Sequence, residues 1–350
     1  MRIGLYGMPT AGKTYILRQI DFMKVESGSQ LLRKYDPGFD NRSDEEKEKV
    51  RRTMASCLLT EKDLIMDGHY AFGDNVVFTE EDGFLYDVIL YLYVDPEELQ
   101  KRMQHSERNA KYLCYDTNAW QMREIEQLRS YCQSNNKDFY VIDNPPTNIF
   151  DDVGMILDFI KEIVNGFSCI ALSQRCVEEI LRKSSTDTIT LMDGDKTLIE
   201  EDSSYIAYGY KTHLYDNNFY TGFQSWRQSK DFEQFTAIVP EDLSLHYTQR
   251  VLNAISQDTF VLSSGSSVVW TRLAKKLGIE SFCGREMSAE TKLFVVKALQ
   301  ENGKRVIAYG DGMNDYYMLK QANEGYLVSR RDGSISRSLR DMNLEEIIIV

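Results

Sequence analysis

Short apolar runs alternate with longer amphipathic stretches along most of the chain. In the first half a helix is predicted at Tyr15–Phe22, and Asp95 followed by Pro96 has the residue types that open another helix. Strands that alternate with helices in this way are typical of α/β domains. The apolar runs of this half predict four β-strands: Arg2–Tyr6, Asp63–Met66, Val88–Val94 and Phe139–Ile142.

The second half repeats the alternation after a break near Gly166. The stretch Phe150–Val164 is predicted to be a closing helix, and Asn165-Gly166 ends it with residues that tolerate positive φ. We therefore predict two domains, at residues 1–165 and 166–350. The second domain is predicted to contain helices near Ser173–Lys183 and Lys292–Gln300 and strands at Thr188–Met192, Phe260–Ser263, Val306–Tyr309 and Glu346–Val350.

Composition agrees with two soluble domains. The chain has 350 residues, with 41 Lys and Arg against 54 Asp and Glu, so its net charge is −13. This length suggests two domains of roughly 100–200 residues each. No apolar run approaches the roughly 20 residues that cross a bilayer, and glycines and a lysine interrupt the N-terminal run that a signal peptide would need. The six cysteines form no Cys-x-x-Cys pair, which favours reduced thiols in a cytoplasmic protein over a zinc site or a disulfide framework.

The first candidate site follows the first predicted strand. Residues Gly7–Thr14 match the phosphate-binding pattern G-x-x-x-x-G-K-[ST]. Gly7 and Gly12 let backbone N–H groups approach phosphate oxygens, and the following helix presents the positive end of its dipole to the same anion. Lys13 can reach the β- and γ-phosphates of ATP, and the Thr14 hydroxyl can bind Mg²⁺. The flanking elements make a chance glycine-rich turn the weaker explanation.

Asp67 supplies a second acidic group at the end of a neighbouring predicted strand. Its carboxylate is placed to hold Mg²⁺ through water or to orient the acceptor, although Asp67-Gly68 is also typical of a strand-end turn. With the phosphate loop and a late basic stretch that contains Arg102 and Arg108, the first 165 residues resemble the adenylate-kinase-like P-loop kinases. The resemblance implies that Arg102 and Arg108 lie in a lid and stabilise the transferring phosphoryl group. A solvated helix face would explain them almost as well.

The sequence departs from the nucleoside monophosphate kinases of that group after Asp67. Those kinases usually read Asp-Gly-Phe-Pro-Arg where this chain has Asp67-Gly68-His69-Tyr70-Ala71, so the substrate-side arginine is missing from its usual place. Transfer to a hydroxyl usually benefits from a base, and His69 or Asp67 could serve. The acceptor therefore stays open at this level.

The second candidate site consists of four separated pieces, each where a predicted strand ends or a predicted helix begins. They are Asp193-Gly194-Asp195-Lys196-Thr197, Ser264-Gly265, Lys292 and Gly310-Asp311-Gly312-Met313-Asn314-Asp315. Ligands of open α/β sheets bind where strands end, so the four pieces are expected to meet. In this order they resemble the haloacid dehalogenase superfamily over roughly residues 168–350, and most closely its phosphoserine-phosphatase-like members.

That resemblance implies a phosphatase with a covalent intermediate. Asp193 would attack phosphorus and form an aspartyl-phosphate, and Asp195 would protonate the leaving alkoxide and then activate water. Ser264 and Lys292 would hold the phosphoryl oxygens. Ser264 is preferred to its neighbour Ser263 because a glycine follows it.

The same resemblance implies an Mg²⁺ site. Asp311 would bind the ion with Asp193 and the carbonyl oxygen of Asp195, and Asp315 would support these ligands. Lys196 is a departure, since glycine or serine is common at that position. We expect Lys196 either to narrow the mouth of the site or to contact an anionic substrate.

Spacing places a small helical cap between the first two pieces, at about residues 199–258. The step from Asp195 to Ser264 is 69 positions, whereas the step from Ser264 to Lys292 is only 28, too short for a large second cap. The predicted architecture is therefore α/β, with a P-loop kinase parallel sheet followed by a Rossmann-like core that carries a small helical cap. Ten aromatic residues of the cap segment are expected to form mainly its core: Tyr205, Tyr208, Tyr210, Tyr215, Phe219, Tyr220, Phe223, Trp226, Phe232 and Phe235.

Together the motifs predict a bifunctional enzyme. Its two parts would be an ATP-dependent kinase and an Mg²⁺-dependent phosphomonoester phosphatase that act on a small nucleotide or phosphorylated metabolite. One alternative is a polynucleotide 5′-kinase and 3′-phosphatase of nucleic acid end repair, which the domain order resembles and the net charge of −13 disfavours. Another alternative is a nucleotide-gated switch without enzymatic activity. No membrane partner is expected.

Overall fold

The computed structural model describes residues 1–144, 153–209, 222–233, 239–240, 243, 245–284, 287–340 and 342–350. The chain folds into two units, Met1–Phe167 and Ser168–Val350. The division follows Gly166, whose φ of 101° lies in the left-handed region that glycine adopts without strain. None of the helices in the described part of the chain combines the length and apolar character that a membrane crossing requires.

A five-stranded sheet forms the centre of the N-terminal unit. The described strands of this unit are β1 (Arg2–Tyr6), β2 (Lys24–Ser27), β3 (Leu64–Asp67), β4 (Ala71–Phe72), β5 (Asn75–Val76), β6 (Val88–Val94) and β7 (Asp138–Asn144). The sheet has the order β2-β3-β1-β6-β7 with parallel pairing throughout, and β4 and β5 form a separate antiparallel hairpin. The apolar runs of β1 and β6 are almost entirely buried, as expected for parallel strands covered on both faces.

Helices connect these strands. They are α1 (Lys13–Leu17), α2 (Gly28–Tyr35), α3 (Asp44–Leu58), α4 (Glu80–Leu85), α5 (Pro96–Gln104), α6 (Thr117–Ser134) and α7 (Val153–Val164), with 3₁₀ turns at Phe39–Asn41 and Ala110–Tyr112. Asp95 caps α5 as predicted, because its carboxylate accepts from the N–H groups of Glu97 and Glu98 at 3.0 and 3.1 Å. α1 is shorter than the predicted 15–22 helix, since the N–H groups of Gln19 and Ile20 bond three residues back as the chain turns into β2. The predicted start of the closing helix at Phe150 lies outside the described residues.

A six-stranded parallel sheet forms the centre of the C-terminal unit. Its strands are β8 (Thr188–Met192), β9 (Thr259–Ser263), β10 (Glu280–Cys283), β11 (Arg305–Gly310), β12 (Glu324–Leu327) and β13 (Ile348–Ile349). The order is β10-β9-β8-β11-β12-β13, so β8 lies between β9 and β11. The predicted final strand at residues 346–350 is reduced to the two residues of β13 that pair with β12.

Seven described helices belong to the C-terminal unit: α8 (Cys169–Lys183), α9 (Ser203–Tyr208), α10 (Gly222–Glu233), α11 (Gln249–Leu252), α12 (Ser267–Leu277), α13 (Ala289–Glu301) and α14 (Met313–Gln321), with a 3₁₀ turn at Arg337–Leu339. α8 begins earlier than predicted because Ser168 accepts from the Ala171 N–H at 3.0 Å and caps it. Alternation along the strands gives the sheet an apolar core on each face. Ile189 and Leu191 of β8 lie in one core, and Met192 and Val261 lie in the other.

The segment predicted as the cap contains α9, α10 and α11. Phe223 and Trp226 of α10 are buried, with ring centroids 6.3 Å apart, as expected of a small core. Tyr205 of α9 is 52% exposed instead, so it does not contribute to that core. The other predicted cap aromatics, apart from the half-buried Tyr208, have side chains outside the described residues: Tyr210, Tyr215, Phe219, Tyr220, Phe232 and Phe235.

Candidate active sites in the two units

The phosphate loop joins β1 to α1 at the carboxyl end of the N-terminal sheet. Gly7 has a φ of 148°, and a Cβ atom there would lie 2.8 Å from the carbonyl oxygen of Leu92, so only glycine fits. Gly12 precedes α1 in the left-handed conformation with φ 103°. Thr10 also has a positive φ of 65°, and its Oγ1 is buried without a hydrogen-bond partner. Strained backbone of this kind is common where a loop is shaped for a ligand.

Lys13 lies inside this loop and is only 5% exposed. Its ammonium donates to the carbonyl oxygens of Gly7 and Met8, the latter at 3.0 Å. Burial lowers the pKa of Lys13 to about 8, against the attraction of Asp67 and Glu124. The Lys13 ammonium is shielded from water, so its attraction for a phosphate that enters the loop is weakly screened. Thr14 is exposed at the start of α1.

Asp67 and His69 lie at the end of β3, next to β1. Asp67 Oδ1 accepts from the Gly28 N–H at 2.9 Å, so this carboxylate anchors the start of α2 while its charge acts on Lys13. His69 Nδ1 is buried without a hydrogen-bond partner. Burial, followed by the charges of Lys13 and Arg108, holds the pKa of His69 well below its usual value. The imidazole is therefore neutral at pH 7, and the same causes make it a weak base.

The two predicted lid arginines take different positions. Arg102 donates to Glu98 at 2.9 Å and to the carbonyl oxygen of Ala11 in the phosphate loop at 3.4 Å, so it lies against the loop. Arg108 is exposed, and its charge acts on His69 and Asp40. Arg102 thus contacts the phosphate loop, whereas Arg108 acts on its neighbours only through its charge.

Glu124 is a functional candidate that the sequence analysis missed. It lies on α6 and is 1% exposed. Its carboxylate accepts from the Ala71 N–H at 3.1 Å, from the Tyr91 hydroxyl at 2.7 Å and from Trp120 Nε1 at 2.9 Å. Burial raises the pKa of Glu124, against these donors and Lys13. No motif surrounds Glu124, and no helix was predicted over α6, so nothing local in the sequence distinguishes this residue.

The second candidate site lies at the carboxyl edge of the C-terminal sheet. Asp193 follows β8, Ser264 follows β9 and Asp311 follows β11. Because β8 lies between the other two strands, the sheet brings these distant segments to one place.

Lys292 joins the carboxylates of this site. Its Nζ donates to Asp193 Oδ1 and Asp315 Oδ1, both at 2.7 Å, and its side chain is 0% exposed. One carboxylate oxygen from each of Asp193, Asp311 and Asp315 lies within 4.8 Å of the others. Asp315 Oδ2 accepts from the N–H groups of Asp311 and Gly312 at 3.0 and 3.3 Å, so it holds the loop after β11.

The carboxylates repel one another in this low-polarity setting. Burial and then the charge of Asp315 raise the pKa of Asp193 well above its usual value, although Lys292 opposes the shift. The same two causes raise the pKa of Asp311 to about 7. Burial lowers the pKa of Lys292, but Asp193 and Asp315 outweigh it and the net pKa is raised, so Lys292 is cationic.

Asp195 is held by donors from two helices. Ser203, the first residue of α9, donates to Asp195 Oδ2 through its N–H at 3.0 Å and its hydroxyl at 2.8 Å. Trp270 of α12 donates from Nε1 to Asp195 Oδ1 at 2.8 Å. Burial and then Asp202 raise the pKa of Asp195 to about 6, while Ser203 and Trp270 oppose the shift. The side chain therefore exchanges a proton near neutral pH.

The two serines after β9 differ in their contacts. Ser264 Oγ accepts from Asn314 Nδ2 at 3.1 Å, which ties it to the loop after β11. Ser263 Oγ is buried and accepts from the Gly265 N–H at 3.1 Å, so it shapes the turn instead. A Cβ atom on Gly265 would lie 2.7 Å from Asp195 Oδ2, which explains why glycine follows Ser264.

Lys196 lies in a left-handed conformation, with φ 59°. Its Nζ lies 3.6 Å from Asp202 Oδ2, and its side chain is 46% exposed. The charges of Lys196 and Arg330, both exposed residues, oppose the raised pKa of Asp311.

Sequence reasoning missed Ser203, Trp270 and Asn314 as contributors to this site. Asn314 lies within a quoted motif, between Asp311 and Asp315, so its position gave a signal. Ser203 and Trp270 lie outside every motif, and only the fold brings them to Asp195.

Comparison with known proteins identifies part of the C-terminal unit. Residues 173–323 match the family model "Hydrolase: haloacid dehalogenase-like hydrolase". This match confirms the resemblance inferred from the four motifs of that unit. No curated protein matches the chain.

Solved structures of both expected classes resemble the chain weakly. Shikimate kinase from Bacteroides thetaiotaomicron is 15% identical and covers 47% of this chain and 98% of its own, with a TM-score of 0.34. A substrate-bound phosphoserine phosphatase is 15% identical and covers 47% and 100%, with a TM-score of 0.30. Deoxyadenosine kinase from M. mycoides with bound dCTP is 14% identical and covers 46% and 100%, with a TM-score of 0.29.

Proposed function

We propose that the C-terminal unit, which carries a haloacid dehalogenase-like hydrolase domain, removes phosphate from small phosphomonoesters, and that the N-terminal unit transfers phosphate from ATP to a small acceptor. The observation that carries the proposal is the buried Lys292 between Asp193 and Asp315, with 2.7 Å to each. Burying these charges costs several kcal/mol per ion. A fold that stabilises such a cluster beside a second acid, Asp195, has the parts that phosphoryl transfer requires.

Two balanced steps follow from these positions. First, a carboxylate oxygen of Asp193 bonds to phosphorus as the bond from phosphorus to the ester oxygen breaks, and the proton carried by Asp195 passes to that oxygen. Then a water oxygen bonds to phosphorus, Asp195 takes the water proton, and the bond from Asp193 to phosphorus breaks to release phosphate. Ser264 and Lys292 hold the phosphoryl oxygens during both steps.

The carboxylate cluster fits Mg²⁺. Asp193 and Asp311 provide hard oxygen ligands, and a cation would relieve the burial and the repulsion from Asp315 that raise their pKa values. Asp315 is already bonded to Lys292 and to the N–H groups of Asp311 and Gly312. It would therefore orient the residues that bind the ion. When bound, Mg²⁺ would neutralise charge on the phosphoryl group.

The kinase proposal rests on the phosphate loop. The loop N–H groups and the buried Lys13 would bind the β- and γ-phosphates, and Thr14 with Asp67 would hold the accompanying Mg²⁺. Arg102, which already contacts the loop, would stabilise the transferring phosphoryl group. Asp67 is the better candidate to accept the proton of an acceptor hydroxyl, because burial and nearby cations lower the pKa of His69 and weaken it as a base.

The two activities must not act on the same bond, because the net result would then be ATP hydrolysis alone. We therefore propose different positions, different substrates or consecutive steps. The net charge of −13 favours small phosphorylated metabolites over nucleic acid as substrates.

The phosphatase is tested by phosphate release from 4-nitrophenyl phosphate and a panel of phosphorylated metabolites. Wild type is expected to turn over at least one ester with Mg²⁺ and to stop with a chelator. Asp193→Asn should abolish turnover, whereas Asp187→Asn, whose side chain is fully exposed just before β8, should retain it. Equal activity of wild type and Asp193→Asn would contradict the proposal.

The kinase is tested by transfer of the labelled γ-phosphate of ATP. The acceptors offered are nucleosides, nucleotides, sugars and oligonucleotides, the last at low and high salt. Lys13→Ala should abolish transfer, and Lys62→Ala, an exposed lysine, should not. Label found on oligonucleotide 5′ ends would replace the small-molecule proposal with end repair. Label on no acceptor would contradict kinase activity.

A further inference from the structure

We propose that Trp270 is a positioning residue that fixes the orientation of Asp195 for proton transfer to the leaving group. The inference rests on the proposed phosphatase function. Trp270 is fully buried, and its Nε1 lies 2.8 Å from Asp195 Oδ1. An indole N–H only donates, so Trp270 can hold the carboxyl group but cannot take its proton.

Counting lone pairs shows where the proton of Asp195 is carried. A carboxylate offers about four acceptor positions, two on each oxygen. Ser203 fills both positions of Oδ2 with its N–H and hydroxyl, and Trp270 fills one position of Oδ1. Among the described residues, the acceptor position left without a donor is on Oδ1, the oxygen that Trp270 holds. The proton delivered to the ester oxygen therefore leaves from an oxygen whose direction the indole sets.

The indole is itself held rigidly. A Cβ atom on Gly194 would lie 2.4 Å from the Trp270 ring, so the ring packs directly on the backbone between Asp193 and Asp195. Trp270 also lies in the apolar core with Met192 and Leu273. A rigid donor of this kind keeps Asp195 within the narrow range of angles that efficient proton transfer needs.

The two helices that hold Asp195 are tied to each other. The N–H of Ser266, the residue that precedes α12, donates to Ser203 Oγ at 2.9 Å. Movement of α12 would therefore displace both Trp270 and Ser203 relative to Asp195. Asp195 is oriented by one connected set of donors.

The test compares leaving groups, because proton donation matters most when the leaving oxygen is a strong base. Trp270→Phe removes the donor together with the part of the indole that lies against Gly194, so a packing control is needed. For phenyl phosphate, whose phenol has a pKa of about 10 like tyrosine, kcat/KM should fall roughly tenfold to hundredfold. For 2,4-dinitrophenyl phosphate, whose leaving group needs no proton, kcat/KM should fall less than about threefold.

Leu273→Ala is the matched control, since Leu273 is fully buried on the same helix in the same core and is not bonded to Asp195. This variant should lower kcat/KM for both esters by the same factor. Equal losses for both esters in Trp270→Phe would overturn the role of Trp270 while the phosphatase function stands. Turnover of neither ester by wild type with Mg²⁺ would overturn the phosphatase function itself.

A second measurement does not depend on activity. The chain contains three tryptophans, so ¹⁵N-labelled protein gives three indole N–H signals, and Trp270→Phe identifies one of them. That signal should move upfield in Asp195→Asn, because a neutral amide is a weaker acceptor than a carboxylate. An unchanged signal would show that the bond from Trp270 to Asp195 is absent.

Discussion

Replacing Lys292 by methionine tests the electrostatic core of the phosphatase site. Methionine keeps most of the length of the side chain and removes the charge. In the wild type Lys292 Nζ lies 2.7 Å from Asp193 Oδ1 and Asp315 Oδ1 and is shielded from water. At an effective dielectric constant near 20, each contact of this length is worth about 6 kcal/mol before desolvation. Desolvation offsets much of this gain, and removing one partner of a buried ionic cluster costs about 3–5 kcal/mol.

The pH dependence distinguishes lost charge from lost packing. Without Lys292, the pKa of Asp193 in the folded state lies still further above its unfolded value. A carboxyl group with a raised folded-state pKa favours folding at low pH, and this contribution is lost as pH rises through that pKa. The destabilisation by Lys292→Met should therefore be close to the full 3–5 kcal/mol at pH 8 and clearly smaller at pH 5.5.

The assay is urea unfolding in the presence of a chelator at both pH values. Tryptophan fluorescence monitors the unfolding. Lys297→Met, on the same helix and half-buried, is the control and should change the free energy of unfolding by less than about 0.5 kcal/mol. Phosphatase turnover of Lys292→Met should fall by at least about a hundredfold, since a charge that holds the phosphoryl oxygens is lost. Equal destabilisation at pH 5.5 and pH 8 would refute the electrostatic reasoning.

Three further predictions follow from the structure. Mg²⁺ should raise the melting temperature more at pH 8 than at pH 5.5, because the pKa of Asp311 is about 7 and protons compete with the ion below that pH. Asp311→Asn should remove the shift in melting temperature. An equal shift at both pH values would contradict Asp311 as a ligand of the ion. Lys196→Gly should stabilise the fold by about 1 kcal/mol in urea unfolding by relieving the left-handed backbone, and a loss of stability would show that the side chain outweighs the strain. Gly154→Ala should raise the free energy of unfolding by about 0.5–1 kcal/mol, since Gly154 is a helical residue with open space around it, and an unchanged value would contradict this.

Local sequence determined several of the strands and the contiguous motifs. The strands Arg2–Tyr6, Val88–Val94 and Thr188–Met192 occur with the predicted bounds, because runs of apolar residues between turns are sufficient to define a buried strand. The phosphate loop and the motif around Asp193 follow these strands directly. Their residues are neighbours in the chain, so their spacing alone indicates the chemistry.

Tertiary structure decided which side chains meet across elements. Asp195 is bonded to Trp270, 75 positions further along the chain, and Glu124 is bonded to Tyr91, 33 positions before it. Neither Trp270 nor Glu124 lies in a motif, and a buried aromatic or acidic residue on a helix has no distinctive local pattern.

The physical reason is that local patterns and tertiary contacts depend on different ranges of the chain. Periodicity and turn chemistry act within a few residues, so they can be read along the chain. Contacts such as that between Lys292 and Asp193 depend on the order of parallel strands and on the way helices pack against them. Many sequences give the same local pattern, and only burial of a shared core selects one arrangement of strands and helices. The sequence thus determined which reacting groups are present, and the fold decided which neighbours orient them and shift their pKa values.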